Sequence, residues 1–375
     1  MSKNKKLVIF VPSIEDGGVE KNLFLIANYL SDRNIDVNLI TANLDKKRNF
    51  SKQVNFISPQ SSFFNKKNRF FKTLFCFYLL LKFYLKNKDI LLLSFQANIY
   101  AIFFASFFRI NIITRSNTAP EGWSSNIIKR LIFKIFFKYP KKIIVNSLDF
   151  KKQLDKEFGV KSLCIYNPLN DEIIKKKVQS KIKFSFFKKN FNNIINIGRM
   201  TDQKDQILLL KALNKLKNQI KFKLIILGKG KNKQNLENFI FKNNLKDNIK
   251  IIGYKKNPYP YLKKADIFIL SSKFEGLPNV LLEAQYLRKT IISSNCPTGP
   301  REILLGGKAG FLFQVGNVNE LKNKILFVTN KTNKKNINDK IKKGYDSIYR
   351  FDFNKNMNLY LNEVKKYLEI ISNDR

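Results

Sequence analysis

Histidine is absent from this chain of 375 residues. Its absence excludes imidazole as a general base or metal ligand, and with it every Ser-His-Asp or Cys-His triad. Cysteine is scarce as well. Cys76, Cys164 and Cys296 are scattered and odd in number, a usage that favours a reducing compartment and argues against a cysteine-based metal cluster.

Acidic residues are also few, with 28 Asp and Glu against 70 Lys and Arg, which gives a formal net charge of +42. Overuse of lysine, asparagine, isoleucine and phenylalanine is a purely compositional explanation. The charge is unevenly spread, however, because residues 46–142 hold 19 basic residues and two acidic ones. Such a field favours an anionic partner, whether a membrane surface, a phosphorylated lipid or a nucleic acid.

No long apolar run is free of charge, so we expect no transmembrane helix. The N-terminal residues show no signal peptide, and we expect a cytoplasmic location. Two stretches, 63–88 and 127–142, are aromatic and basic and contain no acid. Each is either an amphipathic helix resting on an anionic bilayer or a core helix with snorkelling lysines. The cations that bracket the apolar run favour the first interpretation.

Short apolar runs alternate with helix-like periodicity along the chain, and the alternation is interrupted only around residues 167–193. Two such arrays in series predict an α/β protein with two Rossmann-like, doubly wound sheets that face each other across a cleft. We therefore expect an N-terminal domain over 1–170, a linker over 171–192 and a second domain over 193–350.

The stretch Ser271–Glu283, S-S-K-F-E-G-L-P-N-V-L-L-E, connects a buried strand to a helix. Ligands of open α/β sheets bind at such strand ends, and the helix N-terminus favours phosphate. Gly276 permits close backbone approach, Glu275 lies at the mouth, and Glu283 lies one turn into the helix with its carboxylate free to reach back. Phosphate flanked by two carboxylates suggests a nucleotide-sugar. The alternative is a capped helix with two solvated glutamates.

Two cations follow an earlier strand, in N-I-G-R-M-T-D-Q-K. Arg199 and Lys204 are five residues apart and could neutralise a diphosphate leaving group. The alternative is that both are ordinary surface cations of a lysine-rich protein.

Glycine-containing turns offer further candidates. Gly17 and Gly18 would let a loop pass close to a ligand, or form an ordinary turn. Gly253 and Tyr254 end a strand where backbone could meet a nucleobase. The L-G-K-G at 227–230 is no dinucleotide fingerprint, because Lys233 stands where the third glycine is needed.

Several segments, in this order, resemble the group 1 (family 4) glycosyltransferases: G-G-V-E-K-N, N-I-G-R-M-T-D-Q-K-D, L-G-K-G, A-D-I-F-I-L-S-S-K-F-E-G-L-P-N-V-L-L-E-A and S-N-C-P-T-G-P-R-E-I-L. The resemblance implies the GT-B fold and a nucleotide-sugar co-substrate, UDP-linked, bound by the second domain. It implies transfer with retention of configuration and no required metal or other cofactor. It further implies that the C-terminal helix, 351–375, crosses back to the first domain.

The resemblance assigns catalysis to Glu275, Arg199 and Lys204, with Glu275 meeting the sugar hydroxyls, Glu283 the ribose, and the two cations the diphosphate. It implies this donor-binding set: Gly17, Gly18, Arg199, Lys204, Gly253, Tyr254, Glu275, Gly276, Leu277, Asn279, Val280 and Glu283.

One departure from the family concerns a first-domain histidine near the donor sugar, which many members carry and this chain lacks. The matching loop contains Arg115, Ser116 and Asn117, our candidates for an acceptor-side or sugar-proximal position. We expect a hexosyltransferase at the cytoplasmic face of the cell membrane that acts on a lipid-linked saccharide or polysaccharide precursor such as that of lipopolysaccharide. The alternatives are a basic nucleic-acid-binding protein and an inactive glycosyltransferase-like scaffold.

Overall fold

Two parallel β-sheets are the framework of this protein, and they confirm the predicted α/β class with two Rossmann-like domains. The computed structural model describes residues 5–15, 17–117 and 127–373. The first sheet contains β1 (Lys6–Phe10), β2 (Val37–Ile40), β3 (Asn55–Ile57), β4 (Ile90–Ser94), β5 (Asn111–Ser116), β6 (Lys142–Val145) and β7 (Leu163–Cys164). The second contains β8 (Asn192–Ile197), β9 (Phe222–Leu227), β10 (Ile249–Gly253), β11 (Ile267–Leu270), β12 (Thr290–Ser294) and β13 (Phe311–Phe313).

Helices connect the strands as parallel pairing requires. Those of the described residues are α1 (Gly18–Ser31), α2 (Arg69–Lys86), α3 (Asn98–Phe107), α4 (Ile127–Phe136), α5 (Leu148–Phe158), α6 (Asp171–Val178), α7 (Gln206–Asn214), α8 (Lys233–Lys242), α9 (Tyr259–Lys264), α10 (Asn279–Tyr286), α11 (Pro300–Ile303), α12 (Val318–Thr329), α13 (Lys334–Asp346) and α14 (Phe353–Asn373). Among these helices none combines the length and hydropathy needed to cross a bilayer.

The strands are buried because helices cover both faces of each sheet. Leu7 through Phe10 of β1 and Ile267 through Leu270 of β11 are fully or almost fully buried. In the first sheet Val8 and Phe10 pack into the core cluster that also holds Cys76 and Leu80 of α2. These continuous apolar runs are what made the strands recognisable in the sequence.

Both sheets have the same strand order, which decides where a ligand site can form. The first runs β3-β2-β1-β4-β5-β6-β7 and the second β10-β9-β8-β11-β12-β13. In each sheet the first three strands are added in one direction, and the later strands are added on the other side of the first strand. In the second sheet β8 therefore pairs directly with β11. A crevice beyond the carboxyl ends of two such strands is the usual ligand position.

The chain divides into two compact units: Met1–Pro168 with Asn354–Arg375, and Leu169–Phe353. Helix α14 therefore belongs to the first unit, as the fold prediction required. Within that unit the hydroxyl of Tyr367 donates to the carbonyl of Lys141 at 3.0 Å. The hydroxyl of Tyr29 donates to the side-chain amide oxygen of Asn358 at 2.6 Å.

The linker prediction for 171–192 is corrected, because this segment lies in the second unit and includes α6. The amide oxygen of Asn170 caps the helix by accepting from the backbone N–H of Ile173 at 2.9 Å. The side chain of Asn257 donates to the carbonyl of Lys177 at 2.8 Å, which ties the helix to its unit. The sequence concealed α6 because Ile174 alone among its residues is buried, too few to create a periodic pattern.

Candidate functional site

An ion pair lies at the carboxyl edge of the second sheet, between the loops that follow β8 and β11. The ammonium of Lys204 lies 2.5 Å from Oε1 of Glu275, and their side chains are 16% and 7% exposed. The same carboxylate oxygen accepts a hydrogen bond from the hydroxyl of Ser272 at 2.5 Å. The structure therefore brings together two of the predicted catalytic residues, which are 71 positions apart, and adds Ser272, to which no role was assigned.

Backbone contacts hold these two loops against each other. The hydroxyl of Ser271 donates to the carbonyl of Lys204 at 2.8 Å. The backbone N–H of Lys273 donates to the carbonyl of Gln203 at 2.8 Å. The side-chain amide of Gln203 in turn donates to the carbonyl of Phe274 at 2.9 Å. Because these bonds fix both backbones, the ion pair is positioned by the fold.

A third loop, which follows β12, forms hydrogen bonds with the backbone of Glu275. The N–H of Glu275 donates to the carbonyl of Pro297 at 2.8 Å, and both donors of Thr298 approach the carbonyl of Glu275 at 3.3 Å. Gly299 follows with φ of +82°, and a Cβ there would lie 1.8 Å from the carbonyl oxygen of Gly276. Only glycine fits this contact. The sequence offered C-P-T-G-P-R-E-I-L as a resemblance but no role for its glycine.

The L-G-K-G segment has a packing function. A Cβ at Gly228 would lie 1.9 Å from the carbonyl oxygen of Gly198, and one at Gly230 would lie 2.3 Å from that of Met200. The glycines thus allow the loop after β9 to run against the loop after β8. That contact holds the backbone on either side of Arg199 in place.

The nucleobase candidates lie at the end of the neighbouring strand β10. Gly253 has φ of +83°, and no atom lies within 4 Å of a Cβ built there. Tyr254 is 48% exposed. The ammonium of Lys229 lies 5.2 Å from the centre of its ring, within cation–π range. The edge therefore offers an aromatic face beside the loop that follows β9.

Helix α10 begins directly after the Glu275 turn. Gly276 and Leu277 are buried, whereas Asn279 and Val280, its first two residues, are half-buried. Pro278 is the N-cap residue of the helix, and its own side chain makes no capping hydrogen bond. Amide groups of a first helical turn, at the positive end of the helix dipole, favour an anion. Arg199 is exposed on the adjacent loop. Its backbone carbonyl accepts a hydrogen bond from the side-chain amide of Gln206 at 3.0 Å.

Glu283 differs from the prediction of a carboxylate that is free to reach back. The residue is only 5% exposed, and the hydroxyl of Tyr259 lies 3.5 Å from its Oε1. Tyr259 is itself buried at the start of α9, a helix that the sequence did not reveal. The carboxylate is held in place because α9 packs beside it.

Cys296 lies in the loop that supports Glu275, and it is buried. Burial raises the pKa of its thiol to about 12, with the charge of Glu275 acting in the same direction. A thiol with such a pKa is protonated at neutral pH and is a poor nucleophile. Among the described residues, no group of three or more Cys, Asp or Glu side chains is placed to hold a metal ion.

In the first unit, Gly17 and Gly18 lie at the start of α1, and both are exposed. Gly17 has extended backbone, with φ of −148°, and its Cβ position lies 2.7 Å from a carboxylate oxygen of Glu20. The preceding residue, 16, lies outside the described part of the chain.

Arg115, which was predicted as an acceptor-side or sugar-proximal residue, lies buried in the first unit. The side chain is 1% exposed. Its guanidinium donates to the Tyr360 hydroxyl at 2.7 Å, to the Asn167 amide oxygen at 2.8 Å and to the amide oxygen of Asn117. Because Tyr360 is on α14, this cation binds the returning helix.

Ser116 and Asn117 belong to the same polar network. The side-chain amide of Asn98 approaches the Ser116 hydroxyl at 3.4 Å, and that of Asn117 donates to the carbonyl of Phe95 at 3.2 Å. The residues that follow, 118–126, lie outside the described ranges.

Two family models match the chain, one to each half. Residues 16–173 match Glycosyltransferase Family 4, and residues 178–344 match Glycosyl transferases group 1. Among curated relatives, an uncharacterised glycosyltransferase of Methanocaldococcus jannaschii is 38% identical over 49% of this chain and 47% of its own length.

A second relative, from Campylobacter jejuni, is named N-acetylgalactosamine-N,N'-diacetylbacillosaminyl-diphospho-undecaprenol 4-alpha-N-acetylgalactosaminyltransferase. It is 30% identical over 56% of this chain and 58% of its own length. The chain thus spans about half the length of these first two relatives. The amylovoran biosynthesis glycosyltransferase AmsD of Erwinia amylovora is 27% identical over 80% of this chain and 83% of its own length.

Solved structures show the same fold. HepE of Anabaena, crystallised in complex with UDP, superposes with a TM-score of 0.75 over 96% of this chain and 100% of HepE. The two sequences are 17% identical. The likeness covers both sheets and identifies the architecture as GT-B.

Proposed function

This chain belongs to the group 1 (family 4) glycosyltransferases, and from that premise we propose that it is a retaining hexosyltransferase with a nucleotide-sugar donor, UDP-linked. Its acceptor is a lipid-linked saccharide or polysaccharide precursor, which it meets at the cytoplasmic face of the cell membrane. The name of the C. jejuni relative, a diphospho-undecaprenol glycosyltransferase, supports such an acceptor. The UDP complex of HepE supports the nucleotide.

The ion pair of Lys204 and Glu275 beside the N-terminus of α10 is the observation that carries the proposal. The donor diphosphate would lie against the amide groups of Asn279 and Val280, with Arg199 and Lys204 neutralising its charge. Glu275 would accept hydrogen bonds from the sugar hydroxyls. Glu283, held near Tyr259, would bind the ribose, and Tyr254 would lie against the base.

The proposed reaction breaks the bond between the anomeric carbon and the diphosphate oxygen while the acceptor oxygen attacks from the same face. The acceptor hydroxyl gives its proton to the departing diphosphate, so no side-chain base is needed. Negative charge grows on the diphosphate as the bond breaks, where Arg199 and Lys204 stabilise it. Because two fixed cations supply this neutralisation, we propose that the reaction requires no metal.

Transfer of radiolabelled sugar by single-residue variants tests the assignment. We expect Glu275→Gln and Arg199→Gln each to lower kcat/KM by about a hundredfold or more, the usual effect of removing one group that stabilises a transition state. Lys231→Gln is the matched control. Lys231 is a cation of the next loop whose side chain is 70% exposed in a surface ion pair with Asp202. We expect it to leave the rate unchanged.

Full activity in both site variants would refute the proposed roles of Glu275 and Arg199. A thermal-shift series with UDP-, GDP- and ADP-sugars identifies the nucleotide, since a ligand that binds only the folded protein raises its apparent stability. Donor binding without transfer to any acceptor would favour the inactive scaffold.

A further inference from the structure

Helix α3 exposes a row of large aromatic side chains. Tyr100, Phe103 and Phe107 are 66%, 59% and 74% exposed. They are spaced three and four residues apart, so they lie on one side of the helix. The opposite side is occupied by buried Ala101, Ile102 and Ala105. A helix with apolar residues on both sides is unusual at a protein surface in water.

The two neighbouring helices also expose apolar side chains at helical spacing. On α2, Phe70, Leu74 and Tyr78 are 66%, 52% and 56% exposed at intervals of four residues, whereas Cys76 and Leu80 are buried. On α4, Leu131 and Ile135 are 58% and 70% exposed at the same interval.

These rows lie side by side in the first unit. The rings of Phe77 and Phe104 join α2 to α3 at 5.6 Å, and those of Phe103 and Phe136 join α3 to α4 at 6.1 Å. Just after α4, the Tyr139 hydroxyl donates to the carbonyl of Ala105 at 3.0 Å. We call the outward side of α2, α3 and α4 the three-helix surface.

The fold does not account for these side chains. Helices α2 and α3 already bury an apolar side against the first sheet, in the cluster that includes Leu80 and Ala105, and Phe133 and Phe136 of α4 pack against the same cluster while partly buried. Leaving a second apolar side in water forgoes the free energy that its burial would supply. Contiguous exposed apolar patches of this kind mark interaction sites.

Charge identifies the partner. Arg69, Lys82 and Lys86 are exposed on α2, as is Lys134 on α4, whereas Arg130 of α4 forms an ion pair with Glu157 at 2.9 Å. The sequences of α2, α3 and α4 contain no acidic residue. A second copy of the chain would bring like charges together, whereas the phosphates of an anionic bilayer complement them.

We propose that the three-helix surface docks on an anionic phospholipid bilayer. The aromatic and aliphatic side chains enter the boundary between headgroups and acyl chains, and the arginines and lysines lie at the level of the phosphates. The membrane location belongs to the proposed function. The surface itself extends the two stretches expected from the sequence, because α3 contributes the most exposed residue, Phe107.

Co-sedimentation of the full chain with vesicles tests the docking. We expect binding to vesicles of phosphatidylcholine and phosphatidylglycerol in equal parts. Binding to phosphatidylcholine alone should be much weaker, and added salt should reduce the former. The double substitution Phe103→Gln with Phe107→Gln should weaken binding at least about tenfold, because two apolar side chains no longer leave water.

Two matched controls distinguish docking by this surface from nonspecific adsorption of the protein to vesicles. Phe241→Gln with Tyr349→Gln removes aromatics that are 63% and 69% exposed in the second unit, and it should leave vesicle binding unchanged. Lys82→Gln with Lys86→Gln should weaken binding by about fivefold per lysine. Lys334→Gln with Lys335→Gln, an exposed pair on α13, should not.

No binding of the wild-type chain to anionic vesicles would overturn the docking, as would equal losses in the control variants. The docking would also be overturned if the wild-type chain bound RNA tightly and the Phe103→Gln/Phe107→Gln variant lost its RNA binding but kept its vesicle binding. Thermal stabilisation by UDP-sugar, measured without vesicles, reports the proposed function separately. If it persists while vesicle binding fails, the docking alone is wrong; the reverse result refutes the donor site alone.

Discussion

Glu275 is a nearly buried carboxylate whose Oε1 is shared by one cation and one hydroxyl. Without Lys204 the charge would retain Ser272 as its hydrogen-bond donor, and removing one partner of a buried ion pair is costly. A substitution of Lys204 would therefore alter folding as well as the proposed phosphate binding. For that reason a substitution of Arg199, which is exposed, tests the proposed diphosphate site with less effect on folding.

At the same scale, Gly299 gives a stability prediction. Gly299→Ala would place a methyl group 1.8 Å from the carbonyl oxygen of Gly276 in a backbone conformation that L-residues avoid. We expect the free energy of unfolding to fall by roughly 2–4 kcal/mol, measured by urea denaturation.

Gly159→Ala is the control for conformation without collision. Gly159 also has positive φ, +66°, but no atom lies within 4 Å of its Cβ position. Its loss should be about 1 kcal/mol, and equal losses at both glycines would contradict the steric argument.

Among the elements, α14 shows how a distant segment completes a domain. Met357, Tyr360 and Val364 are almost fully buried in the first unit. The hydrogen bond from Arg115 to Tyr360 joins a central strand to this helix across 245 positions of sequence. A buried guanidinium needs each of its acceptors, because no water replaces a lost one.

Tyr360→Phe should therefore destabilise the protein. The substitution removes the acceptor of the Arg115 Nε–H and leaves a buried donor unsatisfied. We expect the free energy of unfolding to fall by about 1–3 kcal/mol in urea denaturation at neutral pH. Tyr349→Phe removes a hydroxyl from a residue that is 69% exposed, and it should change stability by less than about 0.5 kcal/mol. Similar small changes in both variants would show that the Arg115 bond contributes little.

For the whole molecule, the two units differ in how the chain builds them. The second is one continuous segment, whereas the first needs both Met1–Pro168 and Asn354–Arg375. The second unit also contains all the donor-site candidates except Gly17 and Gly18. Its sheet and helices enclose a core cluster of their own.

The fragment Leu169–Phe353 should therefore fold alone and bind UDP. We expect a cooperative thermal transition that UDP at a hundredfold excess over its Kd stabilises by about 2.7 kcal/mol. The fragment Met1–Pro168 lacks α14 and should unfold without cooperativity, because its sheet face and Arg115 lose their covering helix. A Leu169–Phe353 fragment without a cooperative transition would contradict the division.

The sequence alone determined the class of the fold and most of the donor-site candidates. Apolar runs and helical periodicity are local properties, so β1, β4, β8, β9 and β11 were recognisable with the helices between them. Short elements with few buried residues were missed. These include β3, β7, β13, α6 and α9, which depend on neighbours more than on their own pattern.

Only the tertiary structure decided which candidates meet and which are buried. Strand order places β8 beside β11, and that adjacency pairs Lys204 with Glu275. Packing of α9 brings Tyr259 beside Glu283, and the return of α14 brings the Tyr360 hydroxyl to Arg115. Residue type and spacing describe what a side chain can do, whereas its surroundings come from segments distant in sequence. For that physical reason the sequence indicated which chemical groups were candidates, whereas only the tertiary structure showed how they are arranged.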